Sequence, residues 1–408
     1  MTTTRTLVVA GHGMAGHRLV EEVLGQDRHG EWRVVVLAEE PRPAYDRVAL
    51  SSLVDGAAPE DLALAGPGLL GDRRLDLRLR TTVTGVDRGA RTVTCSDGSV
   101  VGYGALVLAT GSQPFVPPVP GHDLPGCFVY RTVEDVEAIR AAAVPGRAAV
   151  VVGGGLLGLE AANALLLLGM RPHVVERAPW PMAQQIDEGG GRVLAEAIGG
   201  LGVRLHCPAV LRAVGAGADG RVERVELADG TSLDAGLVVF AAGVRPRDEL
   251  AAVLGLERGE RGGFLVDEWC RTADDRIWAI GECAAVGGRC HGLAAPGFRM
   301  AETVARQLLG APADAFAGAD ASAKLKVLGI EVAGFGDAHA RTRGAIEYIR
   351  DDPRSGTYAK LVLASDARTL LGGVLAGSTH AYPVLRTLTG RRLPAAPEEL
   401  LTGTPGSR

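Results

Sequence analysis

The sequence predicts an α/β protein built on two similar glycine-rich turns, one near the N-terminus and one in the middle of the chain. Residues 7–16 and 151–160 each combine a short apolar strand, a G-x-G-x-x-G turn and the start of a helix. Such a turn leaves backbone N–H groups and the positive end of a helix available to a pyrophosphate. About twenty residues later, a second strand ends in a glutamate that suits the hydroxyls of an adenosine ribose. One pattern alone is weak evidence, but two predict a pair of Rossmann-like dinucleotide-binding domains.

Length and composition agree with this fold class. The chain has 408 residues, of which 47% are hydrophobic, enough for two or three domains with large cores. The net charge of −5 provides no basic surface for nucleic acid, so we expect no nucleic-acid binding. The apolar run before Gly11 is too short for a secretory or membrane segment. We therefore expect a cytoplasmic protein with no membrane partner.

The cysteines are scattered along the chain and form neither a C-x-x-C nor a C-x4-C motif. This spacing argues against an internal redox disulfide, a zinc site or an iron–sulfur cluster, each of which needs clustered thiols. Cys283 and Cys290, with His291 adjoining, leave a metal fragment as an alternative, but inert buried thiols are favoured. We predict no metal. The six cysteines are Cys95, Cys127, Cys207, Cys270, Cys283 and Cys290.

The first turn, residues 11–16, is predicted to hold one dinucleotide. The alternative is that its glycines only allow close packing of the helix on the strand. The next strand is followed by two acids, of which Glu39 leaves the strand directly and is the better ribose ligand, with Glu40 in reserve. The expected contacts within the turn are Gly11, Gly13, Met14, Ala15 and Gly16.

The middle turn, residues 153–158, is predicted to hold the second dinucleotide, with Glu176 on its ribose. A 2′-phosphate about 4 Å from Glu176 would meet repulsion of roughly 4 kcal/mol per charge at an effective dielectric constant near 20. NADH is therefore favoured over NADPH, although Arg177 could soften the penalty. The expected contacts within the turn are Gly153, Gly155, Leu156, Leu157 and Gly158.

Several further motifs resemble one flavoprotein family. Residues 43–51 carry the pattern P-x-Y-x-R-x-x-L-S, and residues 109–111, 131–135 and 243–246 read A-T-G, R-T-x-x-D and G-x-R-P. These segments resemble the ferredoxin, rubredoxin and putidaredoxin reductases. They are still more similar to the FAD- and NAD-binding portion of the large subunit of NADH-dependent nitrite reductase, within the pyridine nucleotide-disulfide oxidoreductase superfamily. Ser52, where most relatives have lysine, and Glu282, where most have aspartate, match the nitrite-reductase branch.

The resemblance implies FAD at the first turn and NADH at the middle turn. It gives Glu160 the role of meeting the nicotinamide carboxamide, although a carboxylate there could simply favour the positive helix end by about 0.3–1 kcal/mol. It also adds Gly243 to the NAD contacts. The FAD contacts that it implies outside the first turn and its acids are Arg47, Ser52, Val83, Ala109, Thr110, Gly111, Arg131, Gly281, Glu282 and Ala295.

The same resemblance predicts three domains. An FAD-binding domain comprises residues 1–118 and 246–316, an NAD-binding domain residues 119–245, and a C-terminal α+β interface domain residues 317–408. Short strands are expected at residues 325–328, 331–335, 346–350, 358–363 and 370–375, followed by a helix at 382–388. The resemblance extends to about residue 393 and stops before the iron–sulfur and sirohaem domains of that family, so we do not expect this chain alone to reduce nitrite.

The predicted activity is hydride transfer from NADH to N5 of FAD, with the protein supplying binding and orientation and no catalytic residue beyond the flavin. Electrons would then pass to a separate redox protein, such as a ferredoxin-like protein or an oxygenase component. One alternative is direct reaction with a small molecule, namely a nitrogen oxide, a biosynthetic intermediate or O2. Another is an NADH-sensing interaction protein whose dimerisation changes on binding, because fold alone does not fix function. A homodimer is compatible with each of these alternatives.

Overall fold

A computed structural model describes residues 4–316, 318, 322–327 and 329–402. Contacts divide the chain into two compact units: unit 1 comprises Met1–Gln113 and Val244–Ala319, and unit 2 comprises Pro114–Gly243 and Asp320–Arg408. The predicted start of the C-terminal domain at residue 317 and the predicted strand end at Leu328 lie outside the described residues. The three-domain division stays a prediction.

The first segment of the chain contains two helices and eight strands. Residues Arg47–Leu53 and Pro59–Leu62 add two short 3-10 helices. The regular elements are β1 (Arg5–Ala10), α1 (Met14–Gln26), β2 (Trp32–Leu37), α2 (Pro67–Leu70), β3 (Leu75–Arg78), β4 (Val83–Asp87), β5 (Thr92–Cys95), β6 (Val100–Gly102), β7 (Ala105–Leu108) and β8 (Ser112–Pro114).

The middle segment repeats the strand–turn–helix arrangement. Its elements are β9 (Cys127–Val129), α3 (Val133–Ala142), β10 (Ala148–Val152), α4 (Leu156–Leu167), β11 (Arg171–Val175), α5 (Glu188–Gly200), β12 (Arg204–His206), β13 (Leu211–Ala216), β14 (Val222–Leu227), β15 (Ser232–Asp234) and β16 (Val238–Phe240).

The remaining elements complete unit 1 and then form a C-terminal sheet in unit 2. A 3-10 turn occupies Gly281–Cys283. The elements are β17 (Val244–Pro246), α6 (Leu250–Leu254), β18 (Phe264–Val266), β19 (Ile277–Ala279), β20 (Ala284–Val286), β21 (Arg289–Cys290), α7 (Ala294–Leu308), β22 (Ala323–Val327), β23 (Ile330–Gly336), β24 (Ile346–Asp352), β25 (Thr357–Leu363), β26 (Leu370–Ala376), α8 (Tyr382–Leu388) and α9 (Pro397–Thr402).

A five-stranded parallel sheet forms the centre of unit 1, in the order β19-β7-β1-β2-β3. Its central strands are apolar on both faces because helices cover both sides of such a sheet. Leu7, Val8 and Val9 of β1 have no solvent exposure. Helix α1 packs against α7, and its predicted apolar face, which includes Leu19 and Val23, is buried.

Unit 2 contains a second five-stranded parallel sheet, in the order β12-β11-β10-β16-β9. Val150 and Val151 in its central strand are fully buried. Strands β13, β14 and β15 add a small antiparallel sheet. Two parallel sheets, each with a glycine turn after its central strand, β1 or β10, confirm the predicted α/β fold class.

The C-terminal part of unit 2 is an antiparallel sheet in the order β22-β23-β26-β25-β24. The described strands and helix α8 agree with the predicted strand–helix pattern. Helix α5 packs against this sheet, where the hydroxyl of Tyr358 donates to Asp187 at 2.7 Å. The ammonium group of Lys360, almost fully buried, lies 2.8 Å from the same carboxylate. A charged and hydrogen-bonded contact therefore joins the sheet to α5.

Within the described part of the chain, no helix is both long enough and apolar enough to cross a membrane.

Candidate dinucleotide-binding sites

The first turn in unit 1 accepts only glycine at two of its positions. Gly11 has φ of +109°, and a Cβ atom there would overlap the carbonyl oxygen of Ala109. A Cβ atom at Gly16 would lie 2.5 Å from the carbonyl oxygen of Gly11. Gly13, by contrast, faces open space, with no described atom within 4 Å of a Cβ placed there. The turn is thus tight where α1 meets the sheet and open where a ligand would approach.

The middle turn in unit 2 has the same geometry. Gly153 has φ of +118°, and a Cβ atom there would overlap the carbonyl oxygen of Ala241. A Cβ atom at Gly158 would overlap the carbonyl oxygen of Gly153, whereas one at Gly155 would have no described neighbour within 4 Å. The positional equivalence of the two turns, inferred from the sequence, therefore holds for the three glycines of each G-x-G-x-x-G motif.

Both helices that follow these turns begin without a side-chain cap. Helix α1 starts after Gly13 and α4 after Gly155, and neither residue provides a capping side chain. The first N–H groups of a helix have no intrahelical partner, and they attract an anion together with the helix dipole. Open space beside these uncapped N–H groups fits the pyrophosphate of a bound dinucleotide.

Several predicted FAD contacts lie together in unit 1. A Cβ atom at Gly281 would lie 3.1 Å from the Cβ of Ala15, and one at Gly297 would lie 3.2 Å from the same atom. The first turn, the Gly281–Cys283 segment and the start of α7, which includes Ala295, therefore meet around Ala15. The hydroxyl of Ser112 donates to Glu282 at 2.7 Å, which fixes that carboxylate beside the same region.

The two candidate ribose acids of unit 1 have different partners. Glu39 forms an ion pair with Arg247 and has a half-exposed side chain. Glu40 accepts a hydrogen bond from the hydroxyl of Tyr45 at 2.8 Å and also pairs with Arg47. Glu40 is therefore held by the segment that follows it, Glu39 is held by Arg247, and the preference for Glu39 as the ribose ligand stays a prediction. Arg247 is a neighbour that the sequence did not identify.

The other predicted FAD residues are more dispersed. The hydroxyl of Thr110, beside Ala109 and Gly111, donates to the carbonyl oxygen of Arg247 at 2.5 Å. The hydroxyl of Ser52 donates to the carbonyl oxygen of Ala49 at 2.7 Å within a 3-10 helix. Val83 begins β4 and pairs with Cys95 in a separate antiparallel sheet. The roles of these residues at a flavin stay predictions.

Arg131 is the one predicted FAD contact that belongs to unit 2. Its backbone N–H donates to the carboxylate of Asp135 at 3.0 Å. Thr132 and Asp135 cap the start of α3 by reciprocal hydrogen bonds. The Arg-Thr-x-x-Asp pattern is therefore a helix-capping motif in this structure, and the flavin contact of the arginine stays a prediction.

His12, between the first two glycines of the first turn, received no binding role from the sequence. The backbone N–H of Ala44 donates to its Nδ1 atom at 3.1 Å. Burial, with a further contribution from His17, lowers the pKa of His12 to about 4. A neutral imidazole therefore connects the first turn to the segment of residues 41–52.

The equivalent position in the middle turn is Gly154, whose importance the sequence analysis also missed. A Cβ atom there would lie 2.8 Å from the Cβ of Glu176. The carboxylate of Glu176 accepts from the N–H of Gly154 at 2.5 Å and from the N–H of Ala178 at 2.6 Å. The run of three glycines was the available signal, because only its outer members belong to the G-x-G pattern.

Glu160 and Tyr130 form a second polar group in unit 2. Burial raises the pKa of Glu160 to about 7. Burial, and then the charge of Glu160, raise the pKa of Tyr130. The Tyr130 hydroxyl is buried and has no hydrogen-bond partner among the described residues. Gly243, with φ of +113° and open space beside it, follows β16 in the same unit.

The cysteines have the environment of unreactive thiols. All six are free, and burial raises the pKa of Cys207 and of Cys290 to about 11. Over the described ranges, no group of three or more His, Cys, Asp or Glu residues has an arrangement that could hold a metal ion.

Two parallel sheets, each with an uncapped glycine turn and an acid at the end of the next strand, define a protein with two dinucleotide-binding sites. The chain belongs to the pyridine nucleotide-disulphide oxidoreductase family, whose model matches residues 5–307. It is thus an oxidoreductase of the predicted class. Members of this family bind FAD and a pyridine nucleotide, which confirms the predicted cofactors, and the two turns fit them.

Comparison with individual proteins agrees with this assignment. The chain is 46% identical over 409 residues to the nitrite reductase [NAD(P)H] large subunit of Klebsiella oxytoca, covering 100% of this chain and 42% of the relative. It is 32% identical to the rubredoxin-NAD(+) reductase of Alcanivorax borkumensis, covering 74% of this chain and 78% of the relative. A solved ferredoxin reductase from Rhodopseudomonas palustris has a TM-score of 0.81 and 28% identity, covering 92% of this chain and 91% of that one. The chain spans about half the length of the nitrite reductase relatives that it matches.

Proposed function

We propose that this chain is an FAD-dependent NADH oxidoreductase that passes electrons to a separate redox partner protein. FAD, when bound, takes a hydride from NADH and releases two electrons in later steps. The observation that carries the proposal is the pair of equivalent G-x-G-x-x-G turns. In each turn the first and third glycines are tightly packed, and the second glycine, Gly13 or Gly155, faces open space. Such turns fit two dinucleotides, and the chain belongs to the pyridine nucleotide-disulphide oxidoreductase family.

The assignment of one cofactor to each turn rests on the surrounding residues. In unit 1, the first turn lies beside Glu282 and the start of α7, whose N-terminal end would stabilise negative charge on a reduced ring. In unit 2, Glu160 lies near the start of α4, the helix that directly follows the middle turn. We therefore assign FAD to the first turn and NADH to the middle turn, with Glu160 meeting the nicotinamide carboxamide.

The electron acceptor is proposed to be a small redox protein. Burial raises the pKa values of the Cys207 and Cys270 thiols, so these thiols are poor nucleophiles for a disulfide relay. The rubredoxin reductase and ferredoxin reductase relatives carry the names of protein acceptors. The predicted cytoplasmic location and homodimer stay predictions.

Stopped-flow absorbance of the FAD-loaded chain tests the proposal. We expect NADH to bleach the flavin at least 10-fold more efficiently than NADPH, because the carboxylate of Glu176 repels a 2′-phosphate by a few kcal/mol. Re-oxidation should be slow with oxygen and fast with an added rubredoxin or ferredoxin. Equal efficiency with NADPH would contradict the cofactor preference, and fast turnover with oxygen alone would contradict the protein acceptor.

A further inference from the structure

The Tyr130 hydroxyl is a buried polar group that the proposed function does not yet use. Tyr130 directly follows β9, at the carboxyl end of a parallel strand in the sheet of unit 2. Ligands of such sheets bind beyond the carboxyl ends of the strands. The side chain is only 3% exposed, and its hydroxyl has no hydrogen-bond partner in the described part of the chain. An unpaired buried hydroxyl is destabilising, which indicates a partner that arrives with a ligand.

Glu160 is the charged group that acts on this hydroxyl. It lies near the start of α4, which follows β10, so it is at the same carboxyl end of the parallel sheet as Tyr130 after β9; its charge contributes, after burial, to the raised pKa of Tyr130. Burial raises the pKa of the Glu160 carboxyl to about 7, and no hydrogen bond to this carboxyl involves a described residue. Two polar groups without protein partners therefore lie at the same end of the sheet as the middle turn.

The chemistry of the two groups is complementary. With its raised pKa, the Tyr130 hydroxyl keeps its proton at neutral pH and can donate a hydrogen bond. The Glu160 carboxylate, when ionised, can only accept. A primary carboxamide has one carbonyl acceptor and one N–H2 donor, which is the inverse of this pair.

We propose that Tyr130 is a second residue that recognises the nicotinamide carboxamide: its hydroxyl donates to the carbonyl oxygen, while Glu160 accepts from the amide nitrogen. This inference rests on the proposed NADH site of unit 2. Two contacts of opposite polarity allow only one orientation of the carboxamide, so they also fix the rotation of the nicotinamide ring. Tyr130 is thus a binding residue that determines orientation.

Isothermal titration of the full FAD-loaded chain with three ligands tests the role of Tyr130. NAD+ carries the whole carboxamide, its 3-acetylpyridine analogue keeps the carbonyl and lacks the N–H2 group, and ADP-ribose lacks the ring. We expect Tyr130→Phe to weaken binding of NAD+ and of the analogue by about 3- to 10-fold, the value of one hydrogen bond. Binding of ADP-ribose should not change.

Glu160→Ala is the matched comparison. It should weaken binding of NAD+ but not of the 3-acetylpyridine analogue, because that analogue has no amide nitrogen for the carboxylate to accept from. Unchanged NAD+ affinity in Tyr130→Phe, or equal weakening of all three ligands, would overturn the role of Tyr130. Failure of the unsubstituted chain to bind NAD+ at all would instead overturn the proposed function.

Thermal unfolding without nucleotide provides an independent readout. Because Tyr130→Phe removes an unpaired buried hydroxyl, we expect its melting temperature to equal or exceed that of the unsubstituted chain. A marked decrease would show that the hydroxyl already has a partner in the free protein. That result would also overturn the proposal.

Discussion

The two glycine turns share their backbone and differ in what occupies the second position. In unit 1 this position is His12, whose ring accepts from the N–H of Ala44. In unit 2 it is Gly154, and the side chain of Glu176 lies against it. The acid of unit 1, Glu39, instead has a half-exposed side chain and pairs with Arg247.

The difference shows that the same glycine motif can be followed by a glutamate in two different orientations. A side chain at position 154 would occupy the space that the Glu176 side chain needs, so glycine there allows the acid to fold back onto the turn. The acid of unit 1 points to an arginine, which leaves room for an imidazole in the turn. The two turns share the geometry of their first and third motif glycines. The residue after the first glycine, His12 or Gly154, determines where the carboxylate of the acid points.

Replacing single glycines of the middle turn by alanine should give the largest effects on the free energy of unfolding. Gly158→Ala places a Cβ atom on the carbonyl oxygen of Gly153, so we expect destabilisation of about 3 kcal/mol or more, at the upper end for overpacking. Gly155→Ala faces open space and should change the free energy of unfolding by about 1 kcal/mol or less. Chemical denaturation of both variants measures the difference.

Nucleotide binding should give the complementary pattern. Gly155→Ala is expected to keep the fold and lose NADH affinity, because the ligand must approach its backbone closely. Gly16→Ala and Gly13→Ala are the matched variants in unit 1, read out as unfolding and FAD retention. If Gly155→Ala retained full NADH affinity, the open side of the middle turn would not be the binding side.

An intermediate effect is expected at the position where the two turns differ. Gly154→Ala puts a Cβ atom 2.8 Å from the Cβ of Glu176, so the carboxylate must move away from the N–H of Gly154. We expect NADH affinity to fall by about 10-fold, equivalent to about 1.4 kcal/mol. Fluorescence titration with NADH measures this loss.

A double-mutant cycle gives the control. Once Glu176→Gly has removed the whole side chain, including the Cβ atom that lies 2.8 Å from the new Cβ, adding Gly154→Ala should cost little more, because contacting residues are non-additive. Full additivity of the two substitutions would show that Gly154 acts independently of the acid.

These contrasts also show what the sequence could predict. The first and third motif glycines, the apolar strands and helix α8 depend on short-range patterns, and the structure has them where they were expected. The pairing of Glu39 with Arg247 joins residues 208 positions apart, and the burial of Tyr130 near Glu160 depends on how β9 packs. No periodicity reports such contacts, because tertiary packing creates them.

The smallest expected effect is on the pH dependence of the free energy of unfolding, to which Glu160 of unit 2 and His12 of unit 1 should contribute with opposite signs. Burial raises the pKa of Glu160 from 4.5 to about 7, so between these values the folded chain holds more protons than the unfolded chain. Its contribution to stability therefore falls as pH rises through this range. Burial lowers the pKa of His12 from 6.5 to about 4, so its contribution rises with pH between 4 and 6.5.

Urea denaturation from pH 4.5 to 7.5, comparing the unsubstituted chain with Glu160→Gln and His12→Gln, separates the two contributions. Because Glu160 retains some contact with solvent, we expect its replacement to recover on the order of 1 kcal/mol at the upper end of this range. His12→Gln should give its largest gain at the lower end. Parallel pH profiles of unfolding free energy for both variants would contradict the opposite pKa shifts of Glu160 and His12. The two sites would then differ only in the orientation of Glu39 and Glu176.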